Sequence, residues 1–317
     1  LTDTQRMEAA FRADPTIGRD RLKKAAKVGE KKARLFLRRK RRELAGNGDV
    51  KRGALLEKVS NLRDAEIEVI LRSLKKPEKS QPKHYEWGTE SVKFIACGDT
   101  HWGHNKSSPD FWWRLCDMAA SENVSCILHA GDILEGMSGR PGHIYELDAV
   151  GFDAQVDLAC SYLNQAPCPI KAIDGNHDAW YQEKGNIGLI SGKQIEKMVP
   201  HFTHLGQDEA TITVNGLEIM LWHGRDGASY ALSYRLQKFI EGLSGGDKPH
   251  ILLSGHAHKS VQLDCRNVQA FEVGTGCSQT KFMRGKKLAA HVGFWVIEAF
   301  PNGTGLERIR SEWIPMY

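Results

Sequence analysis

Short apolar runs alternate with longer amphipathic stretches along most of this chain, and the two periods predict two kinds of element. "VKFIAC", "VSCILHA", "IKAID", "LEIMLW" and "HILLS" have the length and the β-branched, apolar composition of buried strands. Residues 109–122, 149–165 and 228–243, which lie between such runs, carry helical spacing. The tail changes character: "ATITVNGLEIML" reads as a hairpin about Asn215-Gly216, and "VQLDCRNVQAFEVG" and "HVGFWVIEAFPNGTGLERIRSEWI" as further hairpins. No internal repeat interrupts this order.

The five runs share the way they end. The first closes at Gly98 and delivers Asp99-Thr100-His101, and the second ends in Gly131-Asp132. The third ends in Asn176-His177-Asp178, the fourth in His223-Gly224 and the fifth in His256-Ala257-His258. In an extended segment residues i and i+2 project the same way, so His256 and His258 can reach one point in space. Carboxyl ends of strands are where α/β sheets place their sites. A donor set of Asp, Asn and several His suits Mn, Fe or Zn better than Ca or Mg, which want oxygen shells. One tetrahedral ion would leave donors over, whereas two adjacent metals use them all.

In order, D-x-H, G-D-x-x-E, G-N-H-D, H-G and G-H-x-H span about residues 92 to 260 and resemble the five motifs of the calcineurin-like metallophosphoesterases. The resemblance implies an α/β fold of two packed mixed β-sheets flanked by helices. It also implies one metal held by Asp99, His101, Asp132 and His258, and a second by Asp132, Asn176, His223 and His256, with Asp132 bridging. Two such ions, about 3.5 to 4 Å apart, activate water and clamp an in-line displacement at phosphorus. Two divalent ions, Mn2+ first and Fe or Zn as alternatives, are therefore the expected cofactors. His177 matches the family histidine that faces the scissile phosphate without being a stable ligand, a role suited to a group with pKa near neutrality. Its orienting partner is an acid, Glu135 or Asp178. Glu135 equally fits a carboxylate at a helix start.

Charge divides the chain. Residues 1 to 45 hold fifteen Lys and Arg against six Asp and Glu, a net of +9, while the whole chain is +5 and the remainder therefore −4. A basic arm on a mildly acidic body points to a polyanionic partner. Within that arm "RDRLKKAAKVGEKKARLFLRRKRREL" is similar to a helix-turn-helix unit, with Val28 as the buried turn residue and Gly29 as N-cap. Lys27 departs from the pattern, which wants glycine in the turn. The second helix, about Glu30 to Arg42, would bring Lys31, Lys32, Arg34 and Arg38 to DNA bases or phosphates. The bland alternative is a solvated basic helix or one that docks an acidic protein. "LAGNGDVKRG" reads as a break, residues 54 to 75 as one or two short helices and "KKPEKSQPKHYEWG" as a linker. The expected division is a basic helical module at 1–45, a connector at 46–91 and a catalytic domain at 92–317.

Substrate class is approached through departures. Motif II lacks the G-D-x-V-D-R-G form and motif III is G-N-H-D instead of G-N-H-E, which argues against a Ser/Thr protein phosphatase. The D-x-H-x-G start and the basic arm are more similar to the SbcD-type DNA repair nucleases. Little sequence follows the last hairpin, so no obligate ATPase partner of the SbcC kind is expected. The expectation is a DNA nuclease with DNA as partner. A small-molecule or cyclic-nucleotide phosphodiesterase shares the chemistry, and a non-catalytic DNA-binding assembly protein is disfavoured because no ligand is missing.

Trp102, Trp180 and Tyr181 border the ligands and either stack nucleobases or pack beneath loops. His104 and His129 read as structural or as supports behind the ligands and not as extra ligands. Seven Cys without a C-x-x-C pair, several of them in apolar segments, fit a reducing cytoplasm. The sequence has no apolar run of about 18 residues and no signal-peptide pattern, so neither membrane nor secretion is expected, and a homo-oligomer stays open.

Overall fold

The computed structural model describes residues 2–14, 19–46, 83–87, 90–184, 188–225, 227 and 231–316. The chain divides into two units, Leu1–Pro77 and Glu78–Tyr317. Most of the connector expected at 46–91, including the helices read into 54–75, lies outside the described residues.

Among the described residues of the first unit, helices α1 (Asp3–Ala13), α2 (Arg19–Ala26) and α3 (Glu30–Gly46) bury Met7, Phe11, Leu22, Ala26, Val28, Ala33, Phe36 and Leu37 together. Helix α1 went unforeseen, although Thr2 and Gln5 form a capping box at its start. The turn after α2 carries the Schellman pair of bonds, Val28 N–H to Lys23 O and Lys27 N–H to Lys24 O. Lys27 occupies the left-handed position of that turn, at φ 49°. Gly29 has no positive φ there, so the glycine the turn wants stands two residues late. Lys27→Gly should stabilise this unit by about 1 kcal/mol, read as a rise in the helical melting transition by circular dichroism. A lowered transition would contradict the turn geometry.

The second unit is built on two six-stranded mixed sheets. One has the order β12-β11-β2-β3-β4-β5 and the other β1-β6-β7-β8-β10-β9. Strands β2 (Val92–Cys97), β3 (Cys126–His129), β4 (Ile170–Asp174) and β5 (Phe202–Gln207) run parallel. The hairpin of β11 (Gly293–Pro301) and β12 (Leu306–Pro315) adds antiparallel beside β2. In the other sheet β7 (Leu217–Trp222), β8 (Ile251–Ser254) and β10 (Val268–Val273) are parallel. Strands β6 (Glu209–Val214) and β9 (Ser260–Cys265) pair antiparallel with β7 and β10, forming the hairpin expected about 215–216 and the one expected in "VQLDCRNVQAFEVG". The domain begins before residue 92, because Lys83–Tyr85, read as linker, forms β1 beside β6.

Burial on both faces explains why the motif strands lack clean alternation. Phe94, Ala96, Leu128 and Ile173 face Ile219, Leu221, Leu253 and Phe271 between the sheets. Ile95, Cys97 and Ile127 lie instead under helices α4 (Pro109–Ser121) and α5 (Phe152–Leu163), where Phe111, Trp112, Leu115, Val156 and Leu163 cover them. Two short helices follow, α6 (Trp180–Glu183) and α7 (Ser191–Met198). Helix α8 (Tyr234–Gly242) closes the outer face of the second sheet with Leu236 and Ile240. The sequence read it as 228–243; residues 228–230 lie outside the described set.

Helix α8 also brings a buried charge to the loop after β8. Arg235 donates to both carboxylate oxygens of Glu272, at 3.0 and 3.2 Å, and to the carbonyl of Gly255. Both side chains are at most 3% exposed, so removing one carboxylate takes two charge-assisted bonds from a buried guanidinium. Glu272→Ala should cost about 1–3 kcal/mol of stability in chemical denaturation. A cost below about 1 kcal/mol would show that the pair does not brace the loop.

Candidate metal centre

The strand ends of both sheets meet at one cleft. Asp99 and His101 follow β2, Asp132 follows β3, Asn176 and His177 follow β4, His223 follows β7, and His256 and His258 follow β8. Asp99, His101, Asp132, His256 and His258 all hold left-handed backbone, with φ from 50° to 73°. Such a conformation costs non-glycine residues about 1–3 kcal/mol each and persists where the surroundings over-determine it. Cross-links of that kind are present: Asp99 N–H donates to Gly131 O, His101 N–H to Asp132 O, and His256 N–H to the Asp99 carboxylate. Glycines let the ends close. A Cβ on Gly131 would lie 2.6 Å from His223 Nδ1, and one on Gly175 would run into the Asp132 carboxylate.

Among the described residues, two of the donor groups able to hold a cation are made wholly of strand-end residues. One is Asp99, His101 and His258, and the other Asp132, His223 and His256. His101 donates through Nδ1 to Glu135 Oε2 at 2.8 Å, which leaves its Nε2 as a bare lone pair facing His258 Nε2 at 3.1 Å. His258 Nε2 is also 3.2 Å from Asp99 Oδ1. His223 donates through Nδ1 to Ala130 O at 2.7 Å, and its Nε2 lies 3.0 Å from Asp132 Oδ2 and 3.2 Å from Asn176 Oδ1. Asp132 Oδ2 is 3.9 Å from His101 Nε2, which puts this carboxylate between the groups. Tautomers fixed by outer partners and lone pairs converging on shared points fit metal ligation.

His177 stands over the same cleft, its ring 4.6 Å from that of His101 and 4.1 Å from that of Trp180. Its Nδ1 donates to the main-chain oxygen of Glu135 at 2.7 Å and lies 3.5 Å from Glu135 Oε2. Burial opposes its charged form, but Asp132 and Glu135 outweigh burial and raise its pKa to about 10. Glu135 is itself pushed up by burial, yet the charge of His177 and hydrogen bonds from His101, His143 and His177 hold it well below the carboxylate range. A further group, His101, Glu135 and His177, therefore also gathers donors.

Asp178 does not orient His177. Its oxygens accept from the N–H groups of Ile133, Leu134 and Gly175, stapling the loop after β3 to the loop after β4. Burial and the carboxylates of Asp174 and Asp132 push its pKa up. The aromatic residues separate too. Trp102 is stacked on Tyr162 at 4.1 Å and Tyr181 packs edge-on to Phe152, both buried, whereas Trp180 lines the cleft. His129 donates or accepts with Thr100 beneath the site, and burial lowers its pKa to about 4.

His143 escaped the sequence reading. It sits on the 3-10 turn His143–Glu146, accepts at Nδ1 from Ser138 N–H, and so presents Nε2–H to Glu135 Oε1 at 2.7 Å. No strand or motif points to it; the only sequence trace is a glycine-flanked histidine eight residues past Glu135. In the basic module Lys31, Lys32 and Arg34 are exposed on α3, but Lys32 is held by Asp3 at 2.6 Å. The side chain of Arg38 lies outside the described set.

Sheets packed in this way around a carboxylate and imidazole cleft define an α/β metallohydrolase. The profile of the calcineurin-like phosphoesterase superfamily domain matches residues 92–287, and the chain belongs to that superfamily. Its members are dinuclear metal-dependent phosphoesterases, and the two donor groups are candidates for that metal pair. Among curated proteins the chain is similar to the DNA polymerase II small subunit of Halobacterium salinarum, 28% identical over 151 residues, covering 45% of this chain and 29% of that protein. The Archaeoglobus fulgidus counterpart is 29% identical over 150 residues, covering 41% and 29%. The matches thus span less than a third of those relatives. Among solved structures an archaeal phosphodiesterase is similar at TM-score 0.43 and 14% identity, covering 70% of this chain and all of that one. The E. coli phosphoesterase YfcE follows at 0.39 and 15%, covering 69% and 98%. Among the described residues no helix is long and apolar enough to cross a membrane.

The protein freed of metal should carry a pH signature. Burial works against the charged ring of His223, but Asp132 raises its pKa to about 9, as Asp132 and Glu135 raise that of His177 to about 10. Both imidazoles hold a proton more tightly folded than unfolded. Their stabilisation is complete below their ordinary value of 6.5 and is lost as pH rises through about 9 to 10. Tm of the metal-free protein should therefore fall between about pH 7 and 10, and Asp132→Asn should flatten the fall. A pH-independent Tm in the unsubstituted protein would contradict the pairing.

Proposed function

We propose that the chain is a dinuclear-metal phosphodiesterase that cuts DNA. The reading is carried by one observation: the two donor groups share a cleft with His177, whose Nδ1 is fixed on the Glu135 carbonyl so that its Nε2 stays on the opposite edge of the ring. Asp99, His101 and His258 would hold one cation, Asp132, His223, His256 and Asn176 the other, with Asp132 shared. The imidazole and carboxylate donors favour Mn2+, with Fe or Zn as alternatives. When bound, the metal pair acidifies a water molecule and screens the charge of a phosphate.

The chain's own residues supply the rest. Glu135 fixes the His101 tautomer through Oε2 and is held in turn by His143 at Oε1. Its carbonyl fixes His177, so that Nε2 can donate a proton to a phosphoryl oxygen or to the leaving oxygen. Trp180 shields the ring on one face.

DNA as substrate draws on two supports: the relatives named as DNA polymerase small subunits, and the basic first unit, whose α3 presents Lys31 and Arg34 to solvent. A helix-turn-helix role for that unit, with Lys32 and Arg38 joining on DNA, belongs to the same proposal. Those relatives' name also favours a second reading, in which the chain serves a polymerase-like assembly without cutting DNA.

Mn2+-dependent hydrolysis of end-labelled linear DNA, circular DNA and bis-p-nitrophenyl phosphate, run in parallel, separates the readings. DNA should be cut, and His177→Ala should slow cutting by about 10²-fold or more. Asp132→Ala should abolish it. Activity on the small diester alone would overturn the DNA substrate, and hydrolysis of none of the three would leave the assembly reading.

A further inference from the structure

The cleft, about 490 Å³, is walled on one side by a segment no motif contains. Cys277, Thr280, Phe282, Met283 and Leu288 line it, on or beside a short helix α9 (Lys281–Gly285). Met283 is buried, but Phe282 keeps 47% of its surface exposed at the mouth, with the Arg140 guanidinium 5.5 Å from its ring centre. A large half-exposed aromatic at the mouth of a cleft whose walls are largely apolar invites a planar partner.

The same segment carries Lys281, Arg284, Lys286 and Lys287, four cations in seven residues with no acid among them. All four are exposed, and among the described residues none pairs with a carboxylate. They stand in a stretch of chain, residues 46 to 317, whose net charge is −4, so the positive charge is local to the cleft mouth. The segment is also fixed in place. Thr280 Oγ1 accepts from Met283 N–H, Leu288 N–H donates to Met283 O, and Gln279 Nε2 donates to Leu288 O. Ser278 N–H ties its start to Lys106 O. Lys287 holds left-handed backbone at φ 58°, a position that ordinarily takes glycine.

We propose that residues 280–288 form the strand-binding element of the cleft and that the strand is single-stranded DNA. Phe282, backed by Met283 and Leu288, stacks on the base beside the cut phosphate, and Lys281, Arg284, Lys286 and Lys287 hold phosphates beyond it. A small diester needs only the cleft floor and gains nothing from a row of cations outside it. A duplex keeps its base faces inside the stack, so it offers none to Phe282. An unpaired strand satisfies both features at once, since aromatic stacking and backbone charge are the two sources of single-strand affinity. The inference rests on the phosphodiesterase reading above.

The test uses the full chain with Mn2+ and three substrates: a fluorescent oligodeoxythymidine, the same strand annealed to its complement, and bis-p-nitrophenyl phosphate. The unsubstituted protein should cut the single strand faster than the duplex. Phe282→Ala should lower the ratio of kcat/KM for the oligonucleotide to that for the small diester by about tenfold, and Phe282→Trp should restore it. Replacing Lys281, Arg284, Lys286 and Lys287 together by Gln should reduce the slope of log KM against log salt for the oligonucleotide by about 2 to 3. Equal rates on single strand and duplex, or an unchanged ratio and slope, would overturn the strand-binding element and leave the phosphodiesterase standing. Hydrolysis of the small diester with no cutting of either DNA would remove the DNA reading and this inference together.

Discussion

Two facing ring nitrogens set the terms for the cleft. The Nε2 atoms of His101 and His258 face each other across 3.1 Å, and Glu135 has already taken the His101 proton to the far side of the ring. Two lone pairs at that distance repel unless a positive centre, a proton or a cation, lies with them. Asp99 Oδ1 at 3.2 Å and Asp132 Oδ2 at 3.9 Å bring negative charge to the same place. Concentrated acceptors of this kind are a poor way to stabilise a fold and a good way to bind a cation. The surrounding structure accordingly spends its hydrogen bonds on holding these atoms together.

The backbone around them explains how. Five candidate ligands hold left-handed φ, a cost of several kcal/mol in all on the usual scale of about 1–3 each. Two six-stranded sheets fix the strand ends, and bonds between successive loops fix the turns, so the strain has no local route of escape. Glycines at 131, 175 and 255 do the opposite service, since a side chain at any of them would collide with His223, Asp132 or the Ala130 carbonyl. Ligand residues take the strained positions because their side chains are needed; glycines take the crowded ones because none can be.

This division also decides what the sequence could reveal. The ligand types sit at strand ends, and their period and order were legible as motifs from Asp99 to His258, as were the three hairpins. Asp178 was legible as an acid next to His177, but its geometry was not: its carboxylate turns inward to three backbone N–H groups, which only the packed loops define. His143 was invisible because its bond to Glu135 joins a loop turn to a strand end and leaves no periodic trace. The pair of Arg235 and Glu272 was equally hidden, since a helix with apolar neighbours gives no sign that one of its charges is buried. Lys83–Tyr85 was hidden by composition: a short, charged edge strand reads as linker until its partner β6 is known.

Proton and metal compete for the same atoms, and that competition links the parts. In the absence of cations Asp132 attracts protons onto His223 and His177, whose pKa values rise to about 9 and about 10. A cation bound at Asp132 and His223 must expel the proton from His223 Nε2, so metal affinity has to increase with pH across that range. His177 differs, because its Nδ1–H is committed to Glu135 and its Nε2 stands outside both donor groups led by Asp99 and Asp132. Cations at those positions would offset the charge of Asp132 and lower the His177 pKa from its metal-free value, while the contribution of Glu135 stays in place. The protonation of His177 is thus coupled, through Asp132, to whether the neighbouring groups are filled.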